Sequence, residues 1–224
     1  MLQHVWERAC QSRYLTNIII GTDDQRVYVA ARNFGAAVRL TRGDHASGTD
    51  RVAEVASSED AGIVVNIQGD EPLIDPAAID AAILPLVHDD RIVMATLMKR
   101  IEDPGENDDP NVVKVVTGRN GDAIYFSRSP IPFLRDSAAA LPFAPRFKHI
   151  GLYVYRRDFL LQYPELPVGP LELAERLEQL RAIENGFHIR MVETEYDSMG
   201  VDTPADLERA TALFAASMTL GVKS

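Results

Sequence analysis

Two acids close the stretch "VVNIQGDEP", residues 64–72, where a run of apolar strand formers passes straight into Gly69, Asp70, Glu71 and Pro72. In open α/β sheets, ligands sit at the carboxyl ends of strands. Gly69 lets the backbone approach a ligand closely. Carboxylates there suit Mg²⁺, a hard cation that takes carboxylate, water and phosphate oxygens. Taken alone, the pair reads equally well as a solvated turn. A third acid, Asp202, stands in "GVDTPADL". Thr203 reads as an N-cap, Pro204 as the first helical residue and Asp206 as the capping partner. Asp202 therefore lies just before a helix start. Asp-Thr-Pro is a routine helix entry, but two such strand-end acids in one α/β chain can clamp one metal.

The loop "TRGDHASGTDR", residues 41–51, holds Arg42, His45, Ser47, Gly48, Thr49 and Arg51. Hydroxyls, a glycine and arginines suit a base edge or phosphates. The same loop reads as a solvent turn ending in an N-cap at Thr49. "FSRSPIP" and "KHIGLYVYR" supply Arg128, Lys148, His149, Tyr153 and Arg156. These fit the grip on an acidic substrate, or an ordinary half-exposed sheet. Over residues 173–181, Leu173, Leu177 and Leu180 form an apolar helical stripe, and Glu178 and Gln179 lie off it as a solvated face would. No P-loop, GxGxxG, HExxH or GxSxG pattern occurs. The five histidines, His4, His45, His88, His149 and His188, are scattered. The chemistry therefore rests on carboxylates at strand ends.

The elements that must position these residues alternate. Residues 1–13 have helical spacing, with Leu2, Val5, Trp6 and Ala9 on one face and Cys10 expected inside. "NIII" reads as a strand, 25–34 as a helix closed by Gly35, "AVRLT" as a strand, 50–58 as a helix and "GIVVNIQGD" as a strand. Asp75-Pro76 opens another helix, and "RIVMATLMK" is a further strand. This alternation predicts βαβ units and a mainly parallel sheet with helices on both faces. The middle departs from it. Strand, "GRNG" turn and strand run through residues 111–133, an Ala- and Pro-rich excursion covers 135–146, and "FKHIGLYVYR" is one more strand. "LELAERLEQLRAIENG" then reads as one helix closed by Gly186, "HIRMVETE" as a strand and "VDTPADLERATALFAASM" as the last helix. The expectation is a single α/β domain over 1–224 with a β-rich insert at about 110–157, a substrate lid and dimer contact.

Composition narrows the classes. The chain has 224 residues, 46% hydrophobic and 25% charged, and a net charge of −10. An acidic surface argues against a sequence-independent grip on nucleic acid. A single nucleotide is still a suitable ligand, since a metal ion and a few cations suffice for it. One cysteine excludes an internal disulfide and a cysteine-based zinc site. No apolar run reaches the ~18 residues of a spanning helix, and no signal peptide opens the chain. The expectation is a cytoplasmic enzyme without a membrane partner.

In order along the chain, "TRGDHASGTDR", "VNIQGDEP", "YFSRSPIP", "HIGLYVYR", "LEQLR" and "GVDTPADLE" closely resemble the 3-deoxy-manno-octulosonate (Kdo) cytidylyltransferases, over essentially the whole sequence. "LEQLRAIENG" also resembles the CMP-sialate synthetases. The resemblance implies a Rossmann-like, three-layer α/β/α nucleotidyltransferase fold. It implies that the sugar's anomeric hydroxyl attacks the α-phosphorus of CTP, releasing pyrophosphate and forming CMP-Kdo for lipopolysaccharide assembly. It assigns Mg²⁺ to Asp70 and Asp202, the catalytic pair. Nucleotide contacts fall to Arg42, Ser47, Gly48, Thr49, Arg51, Gln68, Gly69 and Asp70. The sugar-acid pocket falls to Arg128, His149, Tyr153, Glu178 and Gln179. A homodimer through the insert is implied too. Alternatives are a relative using 8-amino-Kdo or sialic acid, and a truncated, non-catalytic binding module. The family opens with a strand and a loop similar to "PARxxSxRLPGKP", whereas this sequence begins at Met1 where "GKPM" would continue. The expectation is weak CTP binding by the 224 residues as written, low solubility, and a sheet loosened near "NIII" and "IVVNI".

Overall fold

The computed structural model describes residues 1–135, 145–201 and 203–221, with side chains up to 214. Helix α1 (Leu2–Ala9) leads to strand β1 (Ile19–Thr22), then α2 (Gln25–Asn33), β2 (Ala37–Leu40), α3 (Gly48–Ser57), β3 (Ile63–Asn66), α4 (Pro76–His88) and β4 (Met94–Arg100). Caps written in the sequence start these helices. Asp24 accepts from Arg26 N, Asp75 accepts from Ala77 N with Pro76 in the first turn, and Ser47 accepts from Asp50 N. The cap of α3 is thus Ser47, not Thr49. Cys10 follows the end of α1 and is exposed, while Val5 and Ala9 on the opposite side are buried.

A short α5 (Pro104–Asp108), capped by Asp103, precedes the hairpin of β5 (Lys114–Thr117) and β6 (Ala123–Ser127). Gly121 takes the positive φ of 81° that its turn requires. Most of the Ala- and Pro-rich excursion, residues 136–144, lies outside the described residues. Strand β7 (Phe147–Arg156) returns and runs into α6 (Arg157–Gln162) and a 3₁₀ turn (Tyr163–Glu165). The single helix expected over 171–186 is two. α7 (Pro170–Glu175) ends at Arg176, which adopts φ 53° and ψ 49°, and α8 (Leu180–Glu184) follows a tight turn. Gly186 closes α8 as expected, at φ 81°. The break rotates Leu173 outward to 68% exposure while Leu177 and Leu180 stay buried. Strand β8 (Arg190–Glu193) and α9 (Pro204–Gly221) complete the chain.

The sheet is mixed rather than mainly parallel. β7 pairs antiparallel with β4 along one side and with β3 and β5 along the other. β4 and β8 are parallel, as are β1 and β2. So β3, β4 and β8 share one direction, as the alternation of strands and helices predicts, and the strand returning from the insert wedges between β3 and β4. Among the described residues, β1 and β2 form a separate two-stranded sheet, and no ladder joins β1 to β3. Two cores cover the faces. One packs Met94, Met98, Phe126, Tyr155, Leu160 and Leu180 together with Ala53 of α3. The other packs Ile74, Ile79, Leu86, Leu97 and Leu152 with Val5 and Ala9 of α1.

Candidate active site

Strand β3 ends at Asn66, and register sets Asn66 opposite Tyr153 on β7. Gln68, Gly69 and Asp70 therefore emerge where β7 carries Tyr153 and, four residues back along the antiparallel strand, His149. The two acids after β3 divide. Glu71 is buried, its carboxylate accepting from Ser198 Oγ at 2.7 Å and Tyr196 Oη at 3.0 Å. Burial pushes its pKa up against those hydrogen bonds. It is a clamp on the segment after β8. Asp70 is half-buried, and its carboxylate has no hydrogen-bond partner among the described residues. The Asp70 carbonyl accepts from Val201 N at 3.0 Å. Asp202 itself lies outside the described residues. Beyond it Thr203 and Asp206 form the expected reciprocal cap: Thr203 N donates to Asp206 Oδ2 at 2.9 Å and Asp206 N donates to Thr203 Oγ1 at 3.2 Å.

The 41–51 loop comes to the same end of the sheet. A methyl group added at Gly48 would lie 3.9 Å from Gln68 Oε1, so loop and strand end touch. Arg51 reaches back to β1, with Nη1 2.9 Å from Asp23 Oδ1 and 2.7 Å from Thr41 Oγ1. Arg42 is exposed beside Asp44 and Glu54. His45 is spent on Glu54. Ser47, the cap of α3, donates through Oγ to Glu178 Oε1 at 2.9 Å. Thr49 is buried and hydrogen bonds both Glu178 and Tyr155. Burial raises the Glu178 pKa, and the two hydroxyls oppose the rise. Glu178 is therefore not the solvated residue that its place off the leucine stripe predicts. Gln179 beside it is buried as well. The turn that breaks α7 from α8 carries both inward.

His149, Tyr153 and Glu178 converge. The His149 and Tyr153 rings lie 5.3 Å apart, and the edge of Phe126 meets His149 at 5.1 Å. Burial drives the His149 pKa down to about 3, so the imidazole is neutral at pH 7. Burial, and then the nearby Tyr155 and Glu178, push Tyr153 upward. Arg128 donates through Nε to the Glu175 carbonyl at 2.8 Å and through Nη1 to the Pro110 carbonyl at 2.9 Å. Much of its hydrogen-bonding capacity is thus used to hold the turn before Glu178. Lys148 and Arg156 do not join the site. Lys148 pairs with Glu106 and with Asp197, the latter at 2.8 Å, and Arg156 binds the end of α4.

Sequence reasoning missed the residues beneath the site. Glu175 accepts from Ser127 Oγ at 2.6 Å and Arg128 N at 2.9 Å. Arg181 lies in a buried two-pronged pair with Glu172, at 2.9 and 2.6 Å, with its guanidinium 5.3 Å from the centre of the Tyr163 ring. Tyr163 Oη donates to the Glu178 carbonyl at 2.7 Å. No local motif marks these contacts. A cleft of about 400 Å³ opens over this turn, lined by Ser47, Glu172, Arg176, Glu178 and Arg181 among others. A cleft of about 460 Å³ lies at the opposite end of the strands, by Val93 and Arg190, away from all these groups.

This end of the sheet thus offers a hydroxyl- and glycine-bearing loop for an anionic nucleotide, a carboxylate without a partner among the described residues for a cation, and a polar and aromatic pocket around His149, Tyr153 and Glu178. A profile of the cytidylyltransferase family matches residues 1–193. The chain is 70% identical over 222 residues to the 3-deoxy-manno-octulosonate cytidylyltransferase of Solibacter usitatus, covering 99% of this chain and 87% of the relative. It is 55% identical to the enzyme of the same name from Geobacter metallireducens, over 93% of this chain and 85% of that one. A solved structure of CMP:2-keto-3-deoxy-manno-octonic acid synthetase complexed with CTP superposes with a TM-score of 0.90 at 44% identity, over 96% of this chain and 88% of that one. A cytidylyltransferase from Leptospira borgpetersenii, at 16% identity and a TM-score of 0.56 over 92% of this chain and 72% of that one, shares the fold.

Proposed function

The chain belongs to the cytidylyltransferase family, and from that premise we propose that it transfers CMP from CTP to 3-deoxy-manno-octulosonate, releasing pyrophosphate and supplying CMP-Kdo for lipopolysaccharide biosynthesis. The observation that carries this reading is the bond from Ser47 to Glu178. It joins the loop suited to a nucleotide directly to the turn suited to a sugar acid, so two substrates meet at one strand end. Displacement at phosphorus asks a protein mainly for positioning and charge neutralisation. The 41–51 loop, with Gln68, holds the nucleotide. Arg128, His149, Tyr153, Glu178 and Gln179 orient the sugar acid. Its anomeric hydroxyl attacks the α-phosphorus of CTP and gives up its proton to solvent, while the bond from that phosphorus to the bridging oxygen of the β-phosphate breaks and pyrophosphate leaves.

The donor chemistry fits Mg²⁺: Asp70 is a half-buried carboxylate beyond a strand end, with no hydrogen-bond partner among the described residues. Asp70 and Asp202 would hold the ion. When bound, Mg²⁺ supplies charge neutralisation at phosphate and activation of the attacking hydroxyl. We assign the protein to the cytoplasm and to a homodimer through the insert, which also acts as a lid on the sugar. Pyrophosphate release is assayed with CTP plus Kdo, 8-amino-Kdo or sialic acid, and the highest kcat/KM is expected with Kdo. A higher value for another acid overturns the sugar assignment, and no turnover together with no heat in a CTP titration favours a binding module. Asp70→Asn should fold normally and lose about 3 kcal/mol of transition-state stabilisation, over a hundredfold in turnover. Wild-type turnover in that variant would sink the metal assignment.

A further inference from the structure

Between Thr96 and Leu97 of β4 the register with β7 shifts: Thr96 faces Tyr153, and Leu97 faces Ile150. β7 thus carries two extra residues, Gly151 and Leu152, at that step. Such a bulge takes backbone groups out of the ladder and re-aims nearby side chains. The Thr96 hydroxyl sits in the opening. Thr96 is fully buried, and its Oγ1 lies 2.7 Å from the Leu152 carbonyl and 3.1 Å from the Ile150 carbonyl. Its third neighbour is His149 Nε2, at 3.0 Å.

A hydroxyl has one proton to give, and carbonyl oxygens only accept. If the Thr96 proton went to His149, two carbonyl oxygens would face Oγ1 with no proton between them in a buried site. Spending the proton on the carbonyls removes that repulsion. Oγ1 then has lone pairs left, and Nε2 must be the donor.

We infer that Thr96 is a positioning residue that holds His149 as its Nε2–H tautomer and so presents Nδ1, as a hydrogen-bond acceptor, to a hydroxyl of the sugar acid. The inference rests on the placement of His149 at the sugar subsite and adds its polarity. Among the described residues Nδ1 has no hydrogen-bond partner, and the ring is half-buried. Phe126 and Tyr153 pack against the ring and restrict its flipping. The imidazole is neutral, so it has one donor and one acceptor and no charge to offer. A lone pair at Nδ1 takes a proton from a hydroxyl and repels a carboxylate. Position 149 therefore reads a sugar hydroxyl, and the acid group of the substrate must be held elsewhere in the pocket.

The test begins with the wild-type protein alone. Long-range ¹H–¹⁵N correlation of histidine-labelled protein at pH 7 reports which ring nitrogen carries hydrogen, and His149→Gln assigns the signal among the five histidines. Protonated Nε2 with bare Nδ1 is expected, and an Nδ1–H tautomer overturns the inference outright. Thr96→Val removes the hydroxyl at nearly constant shape and should abolish the single tautomer. It should also raise the KM for Kdo about tenfold with the KM for CTP within twofold, the loss of one buried hydrogen bond. Thr96→Ser should restore both. An unchanged tautomer in Thr96→Val overturns the role of Thr96. The expected tautomer with an unchanged KM for Kdo overturns the role of Nδ1. The spectrum needs no substrate, so failure of the tautomer is distinct from failure of the proposed reaction. If Thr96→Val does not fold, the wild-type spectrum still decides, since an Nδ1–H tautomer there overturns the inference by itself.

Discussion

Asp70 and Glu71 are adjacent, carry the same charged group and have opposite fates. Glu71 turns inward to Tyr196 and Ser198, while the Asp70 carboxylate has no partner among the described residues. Both acids lie past the end of β3, in a turn closed by Glu71 N on the Gln68 carbonyl, and only the partners, 125 and 127 residues away, decide which acid is the clamp. His149 shows the same dependence on surroundings. Its pKa of about 3 lies far below the ordinary value of about 6.5. Below pH 6.5 the unfolded chain takes up a proton that the folded chain refuses until about pH 3. Stability therefore falls with pH across that window, by up to about 1.4 kcal/mol per unit. Glu71 and Glu178, with raised values, work in the opposite sense where they titrate. Their effect cancels when wild type is compared with His149→Gln. Between pH 7.5 and 5.0, urea unfolding should show wild type losing about 2 kcal/mol more than the variant. Equal losses would mean that His149 titrates normally in the fold.

The break between α7 and α8 explains why some of the site was legible in sequence and some was not. Strand ends, caps and apolar runs are local, and they put Asp70, the 41–51 loop and the Thr203–Asp206 cap where the sequence implied. The leucine spacing over 171–186 continues through the break, so the sequence reads as one helix where the structure has two. Arg176 leaves helical geometry with no glycine to announce it. What stabilises that turn is distant: Arg181 with Glu172, and Tyr163 with the Glu178 carbonyl. The antiparallel β7 was illegible for a similar reason, since strand direction inside a sheet is set by where an insert returns. A buried pair broken on one side leaves an uncompensated charge, typically costing about 3–5 kcal/mol. Glu172→Gln should therefore lower urea-unfolding stability by that order and raise the KM for Kdo, because the turn holding Glu178 and Gln179 loosens. The double change Glu172→Gln with Arg181→Met should recover much of the stability. A stability loss in Glu172→Gln below about 1 kcal/mol would show that the pair does not hold the turn.

Across the whole molecule, the acidic charge and the apolar surface are unevenly informative. A net charge of −10 says little about CTP, because Asp70 with a metal and the 41–51 loop act at close range while the distant field is screened within about 10 Å. The exposed apolar groups say more. Phe133 is 87% exposed and Ile124 59%, and both belong to the insert, which follows none of the βαβ alternation. β6, which carries Ile124, is an edge strand of the six-stranded sheet. β6 is only five residues long and Ala123 N already donates to the Ile189 carbonyl, so the liability is its exposed apolar side chains, which another surface can cover. In a two-fold dimer one patch meets its own copy, so each residue counts twice. Burying a Phe side chain contributes about 1.5–3 kcal/mol, and two copies contribute about 3–6 kcal/mol, a hundredfold or more in dimer affinity. Light scattering on eluting protein should thus find a dimer near 50 kDa, about twice the 24.8 kDa chain. Phe133→Asp should shift it to the monomer at micromolar concentration, with the circular dichroism unchanged. A variant that stays dimeric would move the interface away from the insert and leave Phe133 free to act on the sugar side alone.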